Sequence, residues 1–306
     1  MKSLLVFLLL SAPTLQARNV TIYFTPNQPV DQVVLKAVGK AEHSVYLASY
    51  SYHWPELTET LRRLKLRGVD VRIFLDSPPP PREAAGLENS IRTDRRSSLF
   101  HAKYIVVDRR NLLVTSLNFT SDNFFLNHNN LLILEDAEAA GFFADKFLSW
   151  WDDRPSTARY VTPDLEAHFS PENDCSARIR AAVDAARASI HFADYDFTSE
   201  EIATAIARRR LAGVPVYGLI ERSKVYPYST FFFLRDLGAR VRRSSMAGLL
   251  HDKLMIIDEA TVIAGSYNPT ESAKDNTECL LILKDPVVAR KMLSEWRRLW
   301  FWRSLP

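Results

Sequence analysis

The sequence predicts an α/β fold made of two copies of one unit, each built around a mixed sheet. Three observations carry that reading. The stretch HSVYLASYSYHWPELTETLRRLKLRGVDVRIFLD, from His43 to Asp76, lies over ASIHFADYDFTSEEIATAIARRRLAGVPVYGLIE, from Ala188 to Glu221, at a constant offset of 145 residues. Within each copy, apolar runs of strand length alternate with amphipathic helical stretches, the pattern of α/β folds. Between the copies, Asp152 to Asp174 is rich in Pro, Ser and Thr, as linkers are.

Each copy reads in the same order. A helix (DQVVLKAVGKAEH; ARIRAAVDAARA) precedes an apolar strand (SVYLASY; SIHFADY). An amphipathic helix follows and stops at Arg67-Gly68 or Ala212-Gly213, where glycine ends the helical pattern. A second strand comes next (VDVRIFLD; VPVYGLIE), then a strand entered through a His-containing motif and a strand leading to a Ser/Asn segment. A short apolar strand, LLIL at Leu131 and again at Leu280, leads to a closing helix that sets Trp151 over Trp300. The offset grows from 145 to 150 between Arg222 and Leu250, so the second copy holds five extra residues there. The domains expected are residues 18–155 and 156–306, after a leader at 1–17.

That leader, MKSLLVFLLLSAPTLQA, has the basic start, short apolar run and terminal Ala17 of a secretory signal, so a secreted or periplasmic protein is expected. No later charge-free segment reaches membrane-spanning length. Two cysteines, Cys175 and Cys279, exclude a disulfide scaffold and offer no zinc spacing; the sequence leaves open whether they pair. Net charge is only +3, but basic residues cluster (Arg62, Arg63, Lys65, Arg67; Arg92, Arg95, Arg96; Arg208 to Arg210; Arg242, Arg243). Such clusters suit a polyanion, either nucleic acid or anionic lipid, and equally suit solvated helix faces.

The chemistry concentrates in LFHAKYIVVDRRNLLVTSLNFT, from Leu99, and LLHDKLMIIDEATVIAGSYNPT, from Leu249. Alternation along an extended chain puts His101 with Lys103, and His251 with Lys253, on one face. Asp108 and Asp258 end their strands at turns, and the next strand returns Ser116 and Asn118, or Ser266 and Asn268, beside the histidine and lysine. An imidazole, an ammonium, a hydroxyl and an amide together suit a phosphate group. A pseudo-twofold axis between the copies brings the imidazoles face to face, so that one attacks phosphorus while the other protonates the leaving group and then activates water. The lysines and amides compensate the charge, so no metal or other cofactor is called for.

This paired signature resembles that of the phospholipase D superfamily, and the resemblance covers essentially the whole chain after the leader. It implies two phospholipase D-like α/β domains with the active site between them, and phosphodiester cleavage through phosphohistidine. It implies catalytic roles for His101, Lys103, Asp108, His251, Lys253 and Asp258, and orienting or phosphate-binding roles for Ser116, Asn118, Ser266, Asn268 and Glu278. Thr115 departs from the glycine usual at that position, which puts the first copy's phosphate cradle in doubt.

The copies differ after the Ser/Asn segment: the second has Asn276 and Glu278 where the first has Asn127 and Asn129. The expectation from sequence is that Glu278 pairs with His251, holding it as imidazolium, and that an amide leaves His101 neutral as the nucleophile. Compact repeats resemble the small secreted nucleases of the superfamily that work as dimers, here as a fused pair and therefore a monomer. RTDRRSS and RVRRSS, just before the motifs, are expected to line the groove for a sugar-phosphate backbone. In KVYPYSTFFFL the run from Ser229 is expected to be a helix packed on the sheet, leaving Tyr226 and Tyr228 as lip residues; SPPPPREA reads as a rigid loop. The sequence therefore points to an exported, nonspecific endonuclease acting on DNA or RNA. The alternatives are a phospholipase D or phosphatidyl transferase acting on phospholipid and, from another class, a non-catalytic polyanion binder.

Overall fold

The computed structural model describes residues 18–302, so the leader expected at 1–17 lies outside the described residues. In chain order the first copy contains β1 (Val20–Thr25), α1 (Val30–Gly39), β2 (Ser44–Ser49), β3 (Tyr52–His53), α2 (Pro55–Leu66), β4 (Asp70–Leu75), α3 (Pro81–Ala84) and β5 (Ile91–Thr93). It continues with β6 (Tyr104–Val107), β7 (Asn111–Thr115), β8 (Phe119–Thr120), α4 (Ser121–Phe125), β9 (Asn129–Glu135) and α5 (Ala137–Trp151). The second contains β10 (Tyr160–Val161), β11 (Leu165–Ser170), α6 (Cys175–Asp184), β12 (Ile190–Asp194), α7 (Glu200–Leu211), β13 (Val216–Ile220) and α8 (Thr230–Asp236). It ends with β14 (Arg240–Arg243), β15 (Lys253–Ile257), β16 (Thr261–Gly265), β17 (Glu278–Lys284) and α9 (Pro286–Trp300).

The strands form two large sheets of matching topology, β1-β9-β7-β6-β2-β4-β5 and β10-β11-β17-β16-β15-β12-β13-β14, and β3 pairs with β8 in a small third one. Both are mixed: β2, β4 and β5 run parallel, as do β12, β13 and β14, while the remaining neighbours are antiparallel. Side chains alternate across each strand. On β2, Val45 and Leu47 join the core under α1 and α2, while Tyr46 and Ala48 face the other way. That other face packs with α5, α9 and the second sheet in one shared core, in which Tyr46, Phe74, Tyr104, Phe147 and Trp150 meet Phe169, Leu254, Ile256, Met292 and Trp296. The halves are thus joined by an interior, and α6 and α7 cover the second sheet's outer face.

Two sequence readings change. The segment read as a linker contains β11, which pairs with β17 from Leu165 opposite Leu283 to Ser170 opposite Glu278. It matches β1, which pairs with β9 from Val20 opposite Leu134 to Thr25 opposite Asn129, so the repeat begins one strand earlier than His43. The polyproline loop turns into helix α3 at Pro81, because proline suits a first helical turn. The run from Ser229 is helical, as expected, with Phe231 and Leu234 buried.

The structure places Asp108 and Asp258, expected among the catalytic residues, at turns. Each sits at the end of the motif strand away from its histidine, in a left-handed conformation (φ 54° and 55°) that aspartate tolerates. The Asp108 carboxylate accepts backbone N–H bonds from Glu42 (3.0 Å), His43 (2.7 Å) and Ser44 (2.8 Å), tying the β6–β7 hairpin to the start of β2. Asp258 does the same for Arg187 (2.8 Å), Ala188 (2.6 Å) and Ser189 (2.9 Å). These backbone bonds outweigh partial burial and hold the Asp108 carboxyl below its ordinary range.

Asp108→Ala is expected to lower stability by about 1–3 kcal/mol at neutral pH in urea denaturation, the cost of leaving such donors unpaired. Because the folded-state carboxyl titrates below its unfolded value, that contribution is present above the unfolded value and is lost as pH falls through the folded one. The gap between wild type and variant should therefore close toward acid pH.

Candidate active site

His101 and His251 each stand on an extended segment just before a motif strand, and each segment is held by the opposite half. His101 N–H donates to the Thr277 carbonyl, and Thr277 N–H to the Leu99 carbonyl, both at 2.8 Å. Equivalently, His251 N–H donates to the His128 carbonyl and His128 N–H to the Leu249 carbonyl, again at 2.8 Å. Asn276 Oδ1 accepts from Leu99 N–H (3.2 Å) and Asn127 Oδ1 from Leu249 N–H (3.0 Å). Within each half, Asp76 accepts Phe100 N–H and Glu221 accepts Leu250 N–H, both at 2.8 Å.

The side chains cross in the same way, which reverses the pairing expected from sequence. Glu278 stands against His101, not His251: its two carboxylate oxygens lie 2.8 and 2.9 Å from His101 Nδ1. Asn129 stands against His251, with Oδ1 at 2.9 Å from Nδ1. Asn129 Nδ2 donates to the Asn123 carbonyl at 3.1 Å, so Oδ1 must face the ring and His251 must carry its proton on Nδ1. The carboxylate imposes the same tautomer on His101. Among the described residues neither Nε2 has a hydrogen-bond partner, and both histidines keep a small exposed edge.

Lys103 and Lys253 are buried, and each donates to its own histidine's carbonyl, at 2.8 and 2.7 Å. Burial pushes the Lys103 ammonium down to about 8, with Glu278 opposing the shift. Burial and the neighbouring Lys103 push Lys253 down to about 7. Burial also holds His101 below its ordinary value against the pull of Glu278, and Lys103 and Lys253 add to the depression. His251 sits well below its ordinary value through burial, Lys253, Lys103 and His101. The cluster is therefore one electrostatic unit, short of negative charge.

Ser116 and Ser266 are fully buried and orient the crossing residues instead of facing the cleft. Ser266 Oγ donates to Glu278 at 2.5 Å, and Ser116 Oγ to Asn129 at 3.3 Å. Asn118 and Asn268 are half-buried, and their Oδ1 atoms have no partner among the described residues. Thr115 does not disturb its loop, since its hydroxyl donates to the Asn130 carbonyl at 2.6 Å. Gly265 is obligatory at the matching position: φ is 137° and an added Cβ falls 2.3 Å from the Cys279 carbonyl oxygen. Tyr50 and Tyr195 set ring edges against His101 and His251, with centroids 5.4 and 4.8 Å apart.

Sequence reasoning missed His128 and Asp252. Buried His128 lies between Asp252, which it contacts through Nδ1, and Glu295 at 2.8 Å from Nε2. These two carboxylates overcome the burial and raise His128 to about 9. Asp252 also accepts from Asn130 Nδ2 at 2.7 Å, so the residue between His251 and Lys253 is anchored to the other half. The signal was the unusual Asp inside His251-Asp-Lys253, where the first copy has Ala102.

The basic groove expected from sequence is only partly present. Arg92, Arg240, Arg242 and Arg243 lie over Trp151, Tyr217, Trp300 and Phe231, on edge strands β5 and β14. Arg96 does reach across to Thr277, and Arg222 bonds the Met246 carbonyl (2.8 Å) in the loop entering His251. Cys175 and Cys279 are buried free thiols.

The family model described as cardiolipin synthase, PLD-like domain, matches residues 34–151 and again 179–300. A phospholipase D of Rickettsia typhi is 28% identical over 153 residues, covering 48% of this chain and 73% of that protein. The human mitochondrial cardiolipin hydrolase is 30% identical over 145 residues, 45% of this chain and 57% of that protein. The crystal structure of a phosphatidylserine synthase from Haemophilus influenzae aligns over 90% of this chain and 86% of its own with a TM-score of 0.69; at 12% identity this is a likeness of fold.

Lys253→Met is expected to raise stability at neutral pH by about 1 kcal/mol or more, because it replaces a buried cation with an apolar chain of similar length. Lys253 titrates near 7 when folded and near 10.5 when unfolded, so the unfolded state binds more protons between those values and wild-type stability rises across that window. Thermal denaturation from pH 6 to 10 should show the variant's advantage shrinking as pH rises.

Proposed function

The chain belongs to the phospholipase D superfamily and carries its phosphodiester-cleaving domain twice, and we propose that it cleaves a polynucleotide through a covalent phosphohistidine on His101. The observation that carries the chemistry is the crossed pair of imidazoles, each with Nδ1 engaged and Nε2 without a partner among the described residues. His101 Nε2 attacks phosphorus; the N–P bond forms as the P–O bond to the leaving group breaks. Glu278 accepts Nδ1–H throughout and stabilises the cation that N–P bond formation creates on the ring. His101 is thus the nucleophile, but for a reason opposite to the one the sequence suggested.

His251 has only a neutral amide behind it, so its imidazolium is a strong acid suited to giving Nε2–H to the departing alkoxide. Its depressed basicity is relieved when a phosphodiester anion arrives among Lys103, Lys253 and the two imidazoles. The neutral His251 then takes a proton from water, whose oxygen attacks phosphorus and breaks the N–P bond. In this reading the Nδ2–H groups of Asn118 and Asn268 donate to the non-bridging oxygens.

A polynucleotide is favoured by cations near the histidines on both halves, Arg96 at Thr277 on one and Arg222 and Lys224 on the other, of which Arg96 is paired with Asp94 and Lys224 with Asp196. Phospholipid is the second reading, favoured by the exposed apolar side chains of Phe125 and Leu126 beside Gly248, and of Leu99. Export is proposed on the sequence of residues 1–17 alone.

The test is cleavage of circular single- and double-stranded DNA with EDTA present, alongside head-group release from mixed phospholipid vesicles. DNA cleavage is expected, reduced at least about 10³-fold in His101→Ala. His251→Ala, slowed about 10²- to 10⁴-fold, should accumulate the retained strand joined through phosphorus to His101, read by mass spectrometry after an alkaline denaturing quench because acid cleaves the N–P bond. Adduct on His251 would reverse the roles, and head-group release with intact DNA would move the substrate to lipid.

A further inference from the structure

The two sides of the cleft differ just beyond the histidines, where the second copy's extra residues lie. On the His251 side, Tyr195 touches the imidazole, and Lys224 Nζ sits 4.9 Å from the Tyr195 ring centroid. Lys224 lies 3.8 Å from Asp196, whose carboxylate accepts the Tyr226 hydroxyl at 2.8 Å. Tyr226 in turn stacks on Tyr228, with centroids 4.1 Å apart and planes tilted by 33°. Tyr228 is 74% exposed, and a hollow of about 260 Å³ continues past it between Pro227, Thr204, Phe232 and Phe233. In the first copy the matching segment, from Ser77 to Ala84, carries prolines and helix α3 in place of a tyrosine pair.

We propose that Tyr226 and Tyr228 form a stacking subsite for a nucleobase on the leaving-group side of the scissile phosphate, with Lys224 neutralising the neighbouring phosphate. This rests on the nuclease reading above. The side follows from in-line displacement: attack from His101 sends the leaving oxygen toward His251, and therefore toward Tyr195, Lys224 and the tyrosine pair. The ligand class follows from the setting. A flat, rigid pair of rings with one hydroxyl fixed offers a π face at low entropic cost and accepts any base. Asp196, engaged by Lys224 and by the Tyr226 hydroxyl, fixes the inner ring of the pair and leaves the exposed Tyr228 ring to meet the base.

The test uses the full-length mature chain and single-stranded oligonucleotides with one cleavable phosphodiester. The base is replaced by an abasic tetrahydrofuran on either the leaving or the retained side. In wild type, removing the leaving-side base should raise KM about 5- to 100-fold, the range for one stacked base, and removing the other should cost less. In Tyr228→Ala the leaving-side penalty should vanish, and Tyr228→Trp should restore it. A merely misfolded variant would lose rate on every substrate and keep the ratio, so the ratio reports the contact itself. Equal penalties on both sides, or a penalty that survives in Tyr228→Ala while wild type cleaves DNA, would overturn the subsite alone. Wild type that leaves every oligonucleotide intact would overturn the nuclease reading, and head-group release weakened by Tyr228→Ala would reassign the rings to lipid.

Discussion

The contact on which the site depends is the one between Glu278 and His101, made across the boundary between the two halves. Two lysines and two histidines are buried around it, and among them Glu278 is the carboxylate that touches an imidazole. Removing four such groups from water is costly unless something offsets their charge. Because the offset comes from the opposite half, neither half alone holds a complete site. The same boundary carries the backbone bonds at Thr277 and His128 and an aromatic core shared by both sheets, so the halves cannot separate without unmaking the cleft.

The duplication supplies this geometry twice, and the departures from symmetry divide the labour. Glu278 faces Asn129, and Thr277 faces His128, at matching places in the repeat; Ala102 faces Asp252 in the motifs themselves. On one side the boundary carboxylate is spent on the imidazole. On the other it is Asp252, spent on His128, which takes a second acid from Glu295 on α9. Each side thus holds a carboxylate–imidazole contact, but only on one side does the imidazole belong to a motif histidine.

Much of this was legible in the residues, and what was not has identifiable causes. The offset of 145 gave both sheets, the order of elements and the meeting of the two motifs, because apolar periodicity and glycine stops survive duplication. The outer strands were missed because Val20–Thr25 and Leu165–Ser170 share little beyond an apolar face and a following proline. The turn positions of Asp108 and Asp258, away from their histidines, were not legible because spacing carries no distance: a strand can bring two residues together or carry them to opposite ends. The crossing of Glu278 was invisible for a deeper reason. Alignment of the copies says which residues are equivalent, and under a twofold axis equivalent partners sit equally well within a half or between halves. The arginines of β5 and β14 read as groove because charge was visible in the sequence, while the aromatic rings beneath them come from distant elements.

Fusion of the copies matters for the chemistry. In a symmetric dimer of identical units both histidines would have the same residue behind Nδ1, two carboxylates or two amides, and their protonation would differ only after substrate broke the symmetry. Within one chain the two positions vary independently. In the mechanism we propose, a carboxylate behind His101 favours the ring that carries positive charge when the N–P bond forms, and an amide behind His251 leaves the ring that surrenders a proton without a stabilising anion. Covalency also allows one approach to the cleft to be rebuilt without the other, as the segment from Arg222 to Tyr228 has been. In the mechanism we propose, direction of attack and shape of the approach are then set together, since the half that carries the acid also carries the Tyr226–Tyr228 pair.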